Sequence, residues 1–259
     1  MFSFLKPKPK PKAPARKGTR APQRVVVRAL ALAEVPAPLE VRSSPRARRM
    51  SLRVDAAREL VRVVVPPGVP DKEVARFVGR HLDWVRQRLA ALPPRPVLAD
   101  GAVVPVLGVD HTIRHDPVGR TTARLCQGAL GPEIVVGGGA EFLARRVTDL
   151  LKAEARRQLT TRAKAKAARI GATVAAVTVR DTKSRWGSCS ATGRLSFCWR
   201  LVLAPEPVLD YVVAHEVAHL REMNHSPRFW ALCASLAGDV DGPRDWLKAN
   251  GARLHRFGA

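Results

Sequence analysis

Apolar and polar residues alternate in short runs over the first half of this chain and recur at helical spacing over the second. Leu39-Glu-Val-Arg42, Met50-Ser-Leu-Arg-Val54 and Leu60-Val-Arg-Val-Val-Val65 carry a period of two, which predicts three strands of an antiparallel sheet. Pro66-Pro67-Gly68 stops the third. Asp71 is then expected to cap a helix running to about residue 92, with Val74, Phe77, Val78, Leu82, Val85 and Leu89 as its apolar stripe and His81 packed beside it. Beyond Pro93-Pro94-Arg95-Pro96, residues 103–107, 112–115, 124–126 and 134–136 read as further short strands.

The period then changes. From about residue 140 to 170 a long helix is expected, with Phe142, Leu143, Val147, Leu150, Leu151, Leu159 and Ile170 facing inward, basic residues outward, and Gly171 at its end. Residues 174–180 make a strand, and the segments before and after Ala191-Thr-Gly193 make a hairpin. Pro205 and Pro207 open another helix, buried through Leu209, Val212, Val213, Val217 and Leu220. Ser226 and Pro227 start the next, with Phe229, Trp230, Leu232, Cys233 and Leu236 inward and Gly238 as its stop. Asp245-Trp-Leu-Lys248 suggests a short closing helix, and no pattern is visible after Asn250. The fold class is therefore α+β, with a strand-rich part over residues 24–138, a helical part with a short sheet over 139–250, and tails at 1–23 and 251–259.

Composition adds bounds to this picture. With 259 residues, 46% of them hydrophobic, the chain can bury one sizeable core. Its 45 Lys and Arg against 22 Asp and Glu leave a net charge of +23, which fits contact with polyanions such as nucleic acid. Only 5% of the residues are aromatic, so stacking platforms for single strands are scarce. The proline-spaced basic leader has no acidic residue and nothing to bury, so an extended tail is expected, able at most to tether nucleic acid nonspecifically. Cys126, Cys189, Cys198 and Cys233 form no C-x-x-C pair, which argues against a redox motif or a cysteine-bound structural metal. No stretch is apolar enough to span a bilayer, and a cytoplasmic protein is expected.

The candidate chemistry lies in Tyr211-Val-Val-Ala-His215-Glu216-Val-Ala-His219. Residues four apart share a helix face, so His215 and His219 can aim their imidazoles at one ion while Glu216 stands beside it, the H-E-x-x-H pattern of zinc hydrolases. Imidazole suits a zinc ion that acidifies water, and a carboxylate can take that water's proton. Three protein ligands are expected. His225 follows His219 by six positions, so the chain would have to leave the helix and double back, a turn that Asn224 could make in the left-handed region. No glutamate follows Glu222, while Asp239, Asp241, Asp245 and His255 are weaker candidates. A metzincin would carry glycine where Glu222 stands. Tyr211, one turn before His215, and the strand at Trp186, Gly187 and Ser188 are candidate substrate contacts, since a free strand edge can pair with an extended peptide.

Trp186-Gly-Ser-Cys189, Tyr211-Val-Val-Ala-His-Glu-Val-Ala-His-Leu220 and Asn224-His-Ser-Pro-Arg-Phe-Trp230 together resemble the bacterial YgjP-like metallopeptidases, relatives of the SprT-like zinc proteases. The Arg46-to-Arg53 strand and the helix carrying Trp84 are similar to that family's N-terminal half, so the resemblance spans roughly residues 40 to 237. It implies a zincin-like catalytic part, zinc on His215, His219 and His225, Glu216 as the catalytic base, and a polypeptide substrate. The alternative expectation, motivated by the charge, is a nucleic-acid-associated protein that acts on DNA-bound proteins or uses zinc structurally.

Overall fold

The computed structural model describes residues 26–56, 58–120, 122–183 and 185–258. The basic leader lies outside them. Among the described residues, six α-helices and three small sheets make a mixed α+β fold, strand-rich first and helical afterwards. The chain divides into two units, residues up to 53 with 61–81, and residues 54–60 with 82–259.

The first unit is built on alternation. Strands β1 (Val26–Leu30), β2 (Leu39–Ser43), β3 (Ser51–Asp55) and β4 (Leu60–Val65) form a sheet in the order β1-β2-β4-β3. Leu39, Val41, Val61, Val63 and Val65, every second residue of the two central strands, are the buried ones. The sheet is not wholly antiparallel as the runs suggest: β2 pairs parallel with β4, because β3 sits at the edge rather than between its sequence neighbours. Helix α1 (Asp71–Gly79) buries Val74 and Val78, four apart. It ends at Gly79, a poor helix former, and α2 (Leu82–Ala90) begins three residues on, so the single long helix is in fact two. Asp71 does not cap α1. Pro70 holds that position, and the Asp71 carboxylate instead accepts Nε and Nη2 of Arg28 at 2.9 and 2.6 Å. His81 is exposed, its Nδ1 against the Phe77 carbonyl at 2.9 Å.

The second unit, which takes in residues 54–60 and α2, contains a sheet of the same plan. Strands β5 (Val103–Val106), β6 (Val109–Asp116), β7 (Arg124–Gly128) and β8 (Gly131–Gly137) run in the order β5-β6-β8-β7, again with a parallel central pair and the third strand at the edge. A short 3₁₀ turn, Ala140–Phe142, leads into α3 (Leu143–Arg169). Leu143, Val147, Leu151, Ala155, Leu159, Ala163 and Ala167 are buried at a strict spacing of four, a narrow seam running the length of the helix. Phe142, expected inside, is 40% exposed and lies under the guanidinium groups of Arg145 and Arg146. Strand β9 (Ala176–Arg180) pairs parallel with β11 (Arg194–Cys198), whose other side carries β10 (Gly187–Cys189). A wholly buried 3₁₀ segment, Trp199–Leu203, then feeds α4 (Glu206–Ala218), followed by α5 (Pro227–Ala237) and α6 (Asp241–Leu254). The last helix is far longer than Asp245-Trp-Leu-Lys248 suggests, and Leu254 and Phe257 beyond Asn250 lie in the core.

Candidate active site

Helix α4 has almost no polar face, because it is enclosed. Val208, Leu209, Val212, Val213, Ala214, Val217 and Ala218 are all buried, and Pro205 and Pro207 start it where a missing N–H leaves nothing unpaired. His215 and His219 stand one turn apart near its end, and the helix stops at Ala218 with His219 as its closing residue. The chain doubles back through Glu222, whose N–H reaches the Ala218 carbonyl at 3.0 Å, and Asn224, whose carbonyl accepts from Ser226 N–H at 2.8 Å. Asn224 does not use left-handed backbone, since Glu59 and Leu107 are the only described non-glycine residues with positive φ. Arg221 holds this loop instead, donating to the carbonyls of Ile170 and Gly171 at the end of α3. Ser226 then caps α5 through its hydroxyl, which accepts from Phe229 N–H at 3.3 Å.

This path brings His225 beside the helical pair. One ligand atom from each of His215, His219 and His225 lies within 4.8 Å of the others, and they are the metal-ligand grouping found among the described residues. The Phe229 ring supports all three imidazoles, with centroids at 4.9, 4.5 and 4.7 Å. Trp230 flanks His215 and His225 at 5.8 and 5.6 Å. Nε2 of His215 and Nε2 of His225 are 3.1 Å apart, close to the ~3.3 Å edge expected between tetrahedral ligands each at about 2.0–2.1 Å from zinc. His219 directs Nδ1 to the Glu222 carbonyl at 3.0 Å, which fixes the tautomer that leaves Nε2 free to ligate. Burial, and the neighbouring His219 and His225, push His215 down to about 4, and burial also lowers His219. Three imidazole donors at this spacing fit a divalent metal ion.

Glu216 lines a cleft of about 290 Å³ together with His215, Tyr211, Val212, Trp186 and Gly187. Burial pushes its carboxyl up to about 7, with Arg185 opposing the rise. Gly187 of β10 lies directly against it: a Cβ built there would stand 2.5 Å from Glu216 Oε1 and 2.6 Å from its Cγ. Only glycine lets the strand approach the carboxylate this closely. Trp186 is braced from behind, its ring stacked on His255 at 4.2 Å and approached by Gly251 of α6. Tyr211 is buried, and burial raises its phenol above the usual range. Ser188 continues β10, paired with Ser196 of β11. β10 occupies the edge of its sheet.

The model of the YgjP-like metallopeptidase domain matches residues 48–250. The chain belongs to this family. Its membership makes it a metallopeptidase-domain protein, for which a polypeptide is the substrate class. Curated proteins and solved structures return no significant match. No helix among the described residues is long and apolar enough to cross a membrane.

The structure thus brings together His215, His219 and His225, and gathers Glu216, Tyr211, Trp186 and Gly187 on one cleft. Asp239 is occupied elsewhere, its Oδ1 accepting the N–H groups of Asp241 and Gly242, and His255 packs on Trp186. Sequence reasoning missed Arg244 and Leu247, which line the cleft from α6, and the support that Phe229 gives the imidazoles. A helical reading extended through residues 241–254 would have placed Arg244, Leu247 and Gly251 on one face at spacings of three and four.

Proposed function

We propose that the chain is a zinc-dependent peptidase in which His215, His219 and His225 hold the ion and Glu216 is the general base. The observation that carries this reading is geometric: three imidazoles whose ligand atoms lie within 4.8 Å of one another, with a buried carboxyl, Glu216, sharing a cleft with one of them. A zinc ion held there would supply Lewis acidity toward a water and a peptide carbonyl. Glu216 would take a proton from an attacking water at its carboxylate and pass it to the leaving amide nitrogen. The free edge of β10 at Gly187 and Ser188 offers backbone groups to an extended substrate, and Trp186 packs against it. Tyr211, its phenol raised by burial and so protonated through neutral pH, lines the same cleft and would be available to donate a hydrogen bond to the substrate.

Two measurements test the assignment. Elemental analysis should find one zinc per wild-type chain, and much less after His215→Ala, His219→Ala or His225→Ala. Glu216→Gln should retain the metal while slowing cleavage of an unstructured protein such as casein by about 10²–10⁴-fold. Full activity in that variant would remove Glu216 from the role of base, and unchanged zinc content in His225→Ala would move the third ligand elsewhere.

A further inference from the structure

A second concave site lies away from the histidines, between α3 and β9. It is a cavity of about 360 Å³ with Val179 and Trp199 in its wall and Lys152, Arg156 and Arg180 around it. On the same helix, the other basic residues are mostly committed. Arg157 pairs with Glu154 at 2.5 Å, Arg162 with Glu206 at 2.6 Å, and Lys166 with Asp210 at 2.7 Å, while Arg169 donates to the carbonyls of Ser235 and Leu236. Lys152, Arg156 and Arg180 are exposed, and among the described residues none of the three has a carboxylate partner. The Lys152 ammonium lies 5.9 Å from the centre of the Trp199 ring.

The one acid in the cavity does not neutralise them. Asp181 Oδ1 is taken by Nη1 of Arg200 at 2.5 Å, and Arg200 is itself fully buried and anchored to the Phe257 carbonyl. Three exposed cations lining one concavity, none paired with a carboxylate among the described residues, make a positively charged recess suited to a multiply charged oxyanion. We infer that the Lys152–Arg156–Arg180 cavity binds a phosphate group, carried either by a small phosphorylated ligand or by a nucleic-acid backbone. The inference is independent of the peptidase reading, since the cavity shares no lining residue with the candidate active site.

The test is calorimetric titration of the full chain with pyrophosphate and, separately, with a short DNA duplex at low and physiological salt. The triple variant Lys152→Ala, Arg156→Ala, Arg180→Ala is compared with a charge-matched control, Arg48→Ala, Lys72→Ala, Lys248→Ala, at three exposed positions outside the cavity. Pyrophosphate affinity should fall at least about tenfold in the cavity variant and by less than about twofold in the control. Pyrophosphate binding so lost identifies a small-ligand site. DNA binding lost from the cavity variant alone, without pyrophosphate binding, identifies a strand-backbone site. Equal losses in the two variants would show a diffuse basic surface and overturn the inference, as would no binding of either probe by the wild type. The single substitution Arg156→Ala provides the same comparison if the triple variant melts early.

Discussion

On the proposed reading, Gly187 should separate catalytic geometry from metal binding more cleanly than any histidine does. Its missing side chain is the space into which Glu216 leans, and none of the three imidazoles is among the nearest atoms a Cβ there would meet. Gly187→Ala should therefore match the wild type in metal content and lose at least about tenfold in activity, because the carboxylate must move from its place to admit a methyl group. Loss of metal and activity together would contradict this division. His255 supplies a second residue-level prediction. Burial, and the nearby Arg200, push it down to about 4 from an unfolded value near 6.5. Between those limits the unfolded chain binds a proton that the folded chain refuses, so stability is full above pH 6.5 and falls as the pH drops toward 4. The linkage is worth on the order of 2–3 kcal/mol. Urea titrations of wild type and His255→Phe, which keeps a flat ring against Trp186, should show the wild type losing more stability from pH 7 to pH 4.5. Parallel pH profiles would mean that His255 does not carry the effect.

Among the elements, α3 does the least visible and most extensive positioning. Lys166, 7% exposed, reaches the Leu236 carbonyl at 2.6 Å and Asp210 at 2.7 Å, so one ammonium joins the end of α5 to the middle of α4. The carbonyls at a helix C-terminus are favourable places for a cation. Lys166→Leu should destabilise the protein by about 2–4 kcal/mol, read as a lowered urea midpoint, because Asp210 and an α5 carbonyl lose a largely buried partner. Unchanged stability would assign the positioning of α5 to Arg169 and packing alone. Such a contact joins residues 70 positions apart, and that is why the sequence did not reveal it. The large apolar residues Leu143, Val147, Leu151 and Leu159 announce the helix, but its seam is completed by Ala155, Ala163 and Ala167, which carry little hydrophobic signal. The His215–His219 pair was legible because helical spacing is local, and Ser226 and Pro227 marked the start of α5 by cap chemistry. The turn at Asn224 was not legible in its detail, because Arg221 secures it through carbonyls some 50 residues away. The parallel pairings β2·β4 and β6·β8 were hidden for a similar reason: alternation gives the face of a strand but not its neighbour.

At the scale of the whole molecule, the family match ends at residue 250, yet the core of the second unit continues past it. Leu254 and Phe257 are 3% and 2% exposed, and the Phe257 carbonyl accepts Nε of the fully buried Arg200 at 2.8 Å. Arg256, 4% exposed, donates to the Ala56 carbonyl at 3.1 Å and pairs with Glu59, which ties residues 54–60 into this unit. His255 backs the Trp186 ring that forms one wall of the cleft. A chain cut after Asn250 would expose the surfaces that Leu254 and Phe257 cover, at about 1.5–3 kcal/mol for each side chain. It would also leave the Arg200 guanidinium buried with one partner fewer, at a further ~1–3 kcal/mol. Those losses together reach the scale of an ordinary domain's entire stability of about 5–15 kcal/mol. The truncated protein should therefore lose its cooperative thermal transition or be recovered only as aggregate, although His215, His219, His225 and Glu216 remain in the sequence. A truncated chain that melts cooperatively within a few degrees of the wild type and binds zinc normally would show that residues 251–259 cover the core without sustaining it.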